Sequence, residues 1–165
     1  MTWFNDCKTL EDLKKEYRRL AVLHHPDKGG DPETMKQINA AHDKKFEELK
    51  RDYNAKAPEG RETTETPEEF RDLVNNIINV PDIVVEICGS WVWVSGNTKP
   101  VKAELKQAGF RWSQNKKMWY WHHVEDGAKW SRGKSTMAEI RAKYGSEIIT
   151  DDGKRHTYSN RLAQA

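Results

Sequence analysis

The chain reads as an α+β protein, with an antiparallel helical hairpin at the N-terminus and a small α+β domain of antiparallel strands and two or three helices after it. Three observations predict this. Apolar residues recur at steps of three and four through the first third. Alternating and β-branched runs start only after Pro81. Six of the seven tryptophans lie at or beyond Trp91. The expected organisation is a helical domain over residues 1–54, a linker over 55–66, a tryptophan-rich module over 67–149 and a polar tail over 150–165.

The first helix is expected from Thr9 to about Leu23. Thr9 can cap it, and Glu11 and Asp12 suit the positive end of its dipole. Leu10, Leu13, Tyr17 and Leu20 form one stripe, with Lys14, Lys15, Arg18 and Arg19 on the flanks and back. Pro26 ends it, because the residue before a proline avoids helical angles. A second helix starts at Pro32 under an Asp31 cap. Its stripe of Met35, Ile38, His42, Phe46, Leu49 and Tyr53 carries it to about Tyr53. His42 on that stripe is expected to be a hydrogen-bonded core histidine.

Residues 55–66 hold no apolar side chain larger than alanine apart from one proline, and read as solvated linker. Thr66-Pro67-Glu68-Glu69 is a capping box that opens a short helix bearing Phe70, Leu73, Val74, Ile77 and Ile78. Beyond it, Ile83–Ile87 and Trp91–Val94 suggest a hairpin turning at Gly89-Ser90. A helix from about Pro100 to Ala108 stops at Gly109. Phe110–Trp112 and Met118–His122 suggest a second hairpin. A last helix covers about Thr136 to Tyr144, and the chain after about Thr150 is expected to be disordered.

Bulk properties exclude several classes. The 165 residues are 36% hydrophobic and 33% charged, with two isolated cysteines, Cys7 and Cys88. No run approaches the about 20 apolar residues of a membrane span, and no leader-like segment opens the chain. A disulfide framework is not available, so a reducing cytoplasm is expected. No cofactor or metal is implied. His24-His25 and His122-His123 are neighbours that cannot easily ligate one ion. Ala128–Ser135 meets only a relaxed phosphate-loop pattern, with too little chain after it for that fold. No nucleophile–base pair stands out, so the chain is not expected to be an enzyme.

The most informative run is His24-His25-Pro26-Asp27-Lys28-Gly29-Gly30-Asp31. It sets an imidazole and a carboxylate on a tight turn between two helices. Proline shapes the turn, and Asp27 offers a partner's arginine a paired hydrogen bond. An ordinary helical hairpin with a proline stop would explain the tripeptide alone. The wider segment resembles the J-domain of DnaJ co-chaperones: Leu13–Ala21, the run to Lys28, then Met35, Ile38 and Asn39. The Gly-Gly-Asp continuation is similar to the viral T-antigen version. The resemblance implies a truncated J-domain that docks on a DnaK-type ATPase and stimulates its ATP hydrolysis. Lys14, Arg18 and Arg19 would meet an acidic patch of the partner, His25, Pro26 and Asp27 its hinge, and Lys28 would add charge. The family's first short helix is missing, with Trp3 and Phe4 left to plug the core. The fourth helix with its basic motif is missing too.

The second module gathers charge as well as tryptophan: residues 82–165 hold 14 basic and 9 acidic side chains. Its run from Gly96 to Trp121 resembles the small HARP-like domains of helicases and phage or plasmid proteins. Three roles are open for Lys99, Lys102, Lys106, Arg111, Trp112, Lys116, Lys117, Trp119, Trp121 and Trp130. The aromatics can be core. They can stack on DNA bases while the cations meet phosphates. They can bind a client or nucleoprotein complex. The expected function is a co-chaperone targeted by this module; the alternative is a nucleic-acid-binding protein whose hairpin is only structural.

Overall fold

The computed structural model describes residues 2–60, 62–88, 91–123, 136–144, 147–149 and 155–157, of which 143, 144, 147, 149 and 155–157 by their backbone alone. The chain divides into two compact units, Met1–Asn79 and Val80–Ala165. No helix among the described residues is long and apolar enough to cross a membrane.

The first unit is built from three helices. Helix α1, Leu10–His24, starts in a capping box: Thr9 Oγ1 accepts from the Asp12 N–H at 3.1 Å, and Asp12 Oδ2 accepts from the Thr9 N–H at 3.2 Å. A 3-10 turn over Pro26–Lys28 leads to α2, Pro32–Lys56, capped by Asp31 accepting from the Thr34 N–H at 2.8 Å. Helix α3, Pro67–Ile77, opens with the Thr66–Glu69 capping box and proline at its first position. Caps of this kind stabilise a helix by ~1 kcal/mol each.

The core of this unit joins Leu13, Tyr17 and Leu20 of α1 to Met35, Ile38, Phe46 and Leu49 of α2 and Phe70, Leu73, Val74 and Ile77 of α3, all buried. Phe4 is buried with them, and Trp3 sets its ring edge against His24, centroids 5.7 Å apart. Tyr17 Oη donates to Asn39 Oδ1 at 2.9 Å, tying α1 to α2. Burial raises the Tyr17 pKa, because the phenolate would lose its hydration.

Two expectations are corrected here. The third helix belongs to the first unit, where it packs on α1 and α2, so the helical domain does not end at residue 54. It follows the second long helix where a fourth family helix was expected to be missing. Residues 55–66 are not solvated linker throughout: 55 and 56 close α2, 58–60 and 62 are exposed, and the part from Thr63 to Glu65 is held in the fold. Asn54 holds the Thr63 backbone from both sides, accepting from its N–H at 2.8 Å and donating to its carbonyl at 3.1 Å. Thr63 and Glu65 are buried. Polarity misleads in this segment because its polar groups find fixed partners inside the fold.

Among its described residues the second unit forms a six-stranded sheet in the order β3-β4-β2-β1-β5-β6, every neighbouring pair antiparallel. The strands are β1 Ile83–Cys88, β2 Trp91–Gly96, β3 Arg111–Ser113, β4 Met118–Trp121, β5 Glu147–Ile149 and β6 Arg155–Thr157. A 3-10 turn at Lys99–Val101 runs into α4, Lys102–Gln107; α5 is Met137–Tyr144. The expected α+β class holds. Strand β6 lies in the stretch expected to be a disordered tail, paired with β5; polar residues suffice for a strand whose ladder bonds come from its neighbour.

Register assigns the faces. Glu86 lies opposite Trp93, and Trp93 opposite Tyr120, so these share one face with Cys88, Trp91 and Met118. Met137 and Ile140 of α5 pack there. Glu86, fully buried, accepts from Arg141 Nε at 2.6 Å and Nη2 at 2.9 Å, which clips α5 to the sheet. The opposite face carries Val85, Ile87, Val92, Val94 and Trp119, all buried.

Candidate functional site

The loop after α1 is fixed by backbone before any side chain acts. His25 is extended, with φ −65° and ψ 134°, as proline after it requires. The Lys28 and Gly30 N–H groups both donate to the His25 carbonyl, at 2.9 and 3.0 Å, and the Gly29 N–H donates to Pro26 at 3.0 Å. Gly29 adopts φ 87°, the left-handed form, and a Cβ at Gly30 would collide with the His24 carbonyl. The Gly-Gly pair is therefore what lets the chain turn tightly under the end of α1.

His25 and Asp27 are then oriented by hydrogen bonds. The Asp27 N–H donates to His25 Nδ1 at 3.2 Å. Nδ1 is thereby an acceptor, so the neutral ring carries its proton on Nε2, which donates to Asn75 Oδ1 of α3 at 3.2 Å. Asn79 Nδ2 donates to Asp27 Oδ2 at 2.9 Å. The two side chains differ in access: His25 is 15% exposed and Asp27 59%. The carboxylate faces solvent with capacity for further donors, while the imidazole is a wedge behind it.

The expected cationic contact face divides. Lys14 is not on the surface: its Nζ lies 2.7 Å from Glu65 Oε2, with both side chains 2% exposed, and 5.4 Å from the centre of the Phe70 ring. Arg18 is buried as well. The cause is α3 and the segment before it, which cover the flank of α1 that a two-helix hairpin would leave open. Arg19 is half-buried and grips Glu16 through Nη2 at 2.6 Å and Nε at 3.1–3.2 Å. Lys15 pairs with Glu11 at 2.6 Å. Pro26 and Lys28 are exposed at the loop.

Behind the loop, His42 is the buried histidine that helical periodicity suggests. Tyr17 lies 4.3 Å from it by ring centres, with Phe46, Phe4 and Phe70 at 5.7, 6.2 and 6.3 Å. Its Nδ1 donates to Asp43 Oδ1 at 3.0 Å, and Asp43 receives Arg71 of α3 through two bonds of 2.8 and 3.0 Å. Nε2 is buried without a hydrogen-bond partner. Burial accordingly lowers the His42 pKa, opposed by the Asp43 hydrogen bond. Burial would raise the Asp43 pKa, but the His42 bond and Arg71 together hold it below the usual carboxylate value.

In the second unit the expected contact residues also separate. Trp119 is buried and Trp121 half-buried. Lys116 is half-buried and sits 5.6 Å over the Trp93 ring, a cation–π contact within its own fold. Trp112 is 41% exposed, its ring set edge-on to Trp119 at 5.5 Å. Arg111, Lys99, Lys102, Lys106 and Lys117 are exposed. Trp130 and the phosphate-loop-like stretch 128–135 lie outside the described residues. Among the described residues no three His, Cys, Asp or Glu side chains are grouped to hold a metal.

Two residues of the site went unread in the sequence, Asn75 and Asn79. Asn75 lies in the last turn of α3 and Asn79 in the turn that follows it.

Residues 5–55 match the family model of the DnaJ domain. The N-terminal region is 40% identical over 76 residues to the small t antigen of Budgerigar fledgling disease virus, which is 46% of this chain and 50% of that protein. DnaJ protein homolog 2 of Allium porrum is 60% identical over 35 residues, 21% of this chain and 8% of that one. Chaperone protein dnaJ A6 of Oryza sativa subsp. japonica is 48% identical over 42 residues, 26% and 10% respectively. The chain thus spans half the length of the viral relative and a tenth or less of the plant ones. No solved structure matches.

Proposed function

We propose, with residues 5–55 standing as a DnaJ domain, that the chain is a co-chaperone that stimulates ATP hydrolysis by a DnaK-type ATPase. One observation carries the reading: Asp27 presents an outward carboxylate on a turn whose shape is set by Pro26, Gly29 and Gly30 and whose rear is braced by His25. A carboxylate so held forms a strong paired bond with an arginine. Docking shifts the partner's population toward its hydrolysis-competent arrangement. The short-range contacts are His25, Pro26, Asp27 and Lys28, with Arg19 at the margin. The reading puts the chain in the cytoplasm, where Cys7 and Cys88, both buried and neither in a disulfide, stay reduced.

The second unit targets this activity to a client or nucleoprotein complex. Its support is the exposed Trp112 on a unit that also exposes Arg111, Lys102, Lys106 and Lys117. Aromatic stacking on single-stranded nucleic acid is worth ~1–3 kcal/mol per base, with salt-dependent phosphate contacts beside it. The test of the main reading is single-turnover ATP hydrolysis by DnaK. The unaltered chain accelerates it and His25→Gln does not; equal behaviour of the two sinks the co-chaperone reading.

A further inference from the structure

We propose that α3 and the turn after it are a working part of the loop: Asn75 on the helix and Asn79 in the turn are positioning residues that set the tautomer of His25 and the aim of Asp27. The inference rests on the proposed function for its effect on a partner, though not for its geometry.

The two carboxamides act in opposite chemical senses. Asn75 presents its oxygen to the His25 Nε2–H at 3.2 Å. That bond holds the ring proton on Nε2 and leaves Nδ1 bare to accept the Asp27 N–H, the bond that caps the 3-10 turn. The other tautomer would set an Nδ1–H against that N–H and open the turn. Asn79 presents its nitrogen, because a carboxylate can only accept, and it occupies one site on Asp27 Oδ2 at 2.9 Å. Oδ1 and the remaining Oδ2 site stay open to a guanidinium. Arg71, four residues before Asn75 on α3, is bonded twice to Asp43 of α2, which holds the helix so that Asn75 and, in the turn past its end, Asn79 reach the loop. The helix hairpin supplies the loop, and α3 with the turn after it aims it.

The senses give a sharp test, since one substitution must have two outcomes. Asn75→Asp keeps an acceptor for Nε2–H and retains stimulation of DnaK within about twofold. Asn79→Asp removes the donor, sets a like charge against Asp27 and lowers stimulation about three- to tenfold, the population change carried by one hydrogen bond. Asn75→Leu and Asn79→Ala both lower it by a similar factor. The ring nitrogens of His25, followed by two-bond nitrogen–proton NMR of the full chain at mildly alkaline pH, report the tautomer directly. Expected is the Nε2–H form in the unaltered chain and in Asn75→Asp, and a mixture in Asn75→Leu. Equal effects of the two Asn→Asp variants, or a mixed tautomer in the unaltered chain, would overturn the inference. If the unaltered chain stimulates no ATPase, the proposed function falls, and the NMR result still decides the tautomer. Both positions of substitution are exposed side chains, and urea unfolding checks that each of the four variants folds.

Discussion

Lys14 and Glu65 form an ion pair of 2.7 Å with each side chain 2% exposed, so a lysine of α1 is satisfied by a residue 51 positions away. A buried pair is strongly destabilising to break and nearly neutral to replace whole. Glu65→Gln is expected to lower the unfolding free energy of the first unit by about 3–5 kcal/mol. Lys14→Met combined with Glu65→Leu recovers most of that loss. Urea denaturation of the unaltered chain, Lys14→Met, Glu65→Leu and the double variant completes the cycle, and additive effects of the two changes would show the pair to be uncoupled.

The unit is expected to weaken in mild acid. Burial lowers the His42 pKa in the folded chain below the ordinary 6.5. Between those values the unfolded state binds more protons than the native state, so stability rises with pH. The contribution is complete above 6.5 and is lost as the pH falls toward the folded value. The urea midpoint should drop from neutral pH to mild acid, and His42→Gln, which cannot titrate, should flatten that slope.

Gly30→Ala is expected to damage function more than its size suggests. The new methyl group meets the His24 carbonyl, so the turn must open. A backbone clash of this kind costs about 1–3 kcal/mol. Stimulation of DnaK should fall with it, while Lys36→Ala, an exposed site on the next helix, should leave both measurements unchanged.

The tryptophans of the second unit should sort by access. Trp119→Ala empties a buried site and is expected to cost about 3–5 kcal/mol. Trp112→Ala leaves stability within about 1 kcal/mol, since a half-exposed ring loses little packing. The latter should weaken binding to single-stranded DNA or client while thermal unfolding stays put. A Trp112→Ala protein that binds as well as the parent would remove the targeting role of that ring.

How far the sequence could be read follows from what each signal reports. Periodicity placed α1, α2 and His42 because one buried stripe per helix repeats within a few residues. Capping chemistry placed Thr66 and Pro67 correctly, yet the helix they open was assigned to the wrong unit. Nothing local says which core Phe70 and Leu73 will join. Lys14 and Arg18 were read as surface because a lysine or arginine is seldom buried; their burial depends on α3 covering α1. Residues 55–66 were read as linker because composition cannot distinguish polar groups that meet water from those, such as Thr63 and Glu65, that meet each other. Strand alternation found the faces of Trp91, Trp93, Trp119 and Trp121, but not which face α5 would cover.

Under the proposed function, the pairs Lys15–Glu11 and Arg19–Glu16 bear on how a partner arrives. Each cation on the solvent side of α1 already has its counterion one turn away, so little field reaches beyond the helix. On that reading the salt dependence of capture rests on the exposed charges of the loop itself, Asp27 and Lys28, rather than on the face of α1.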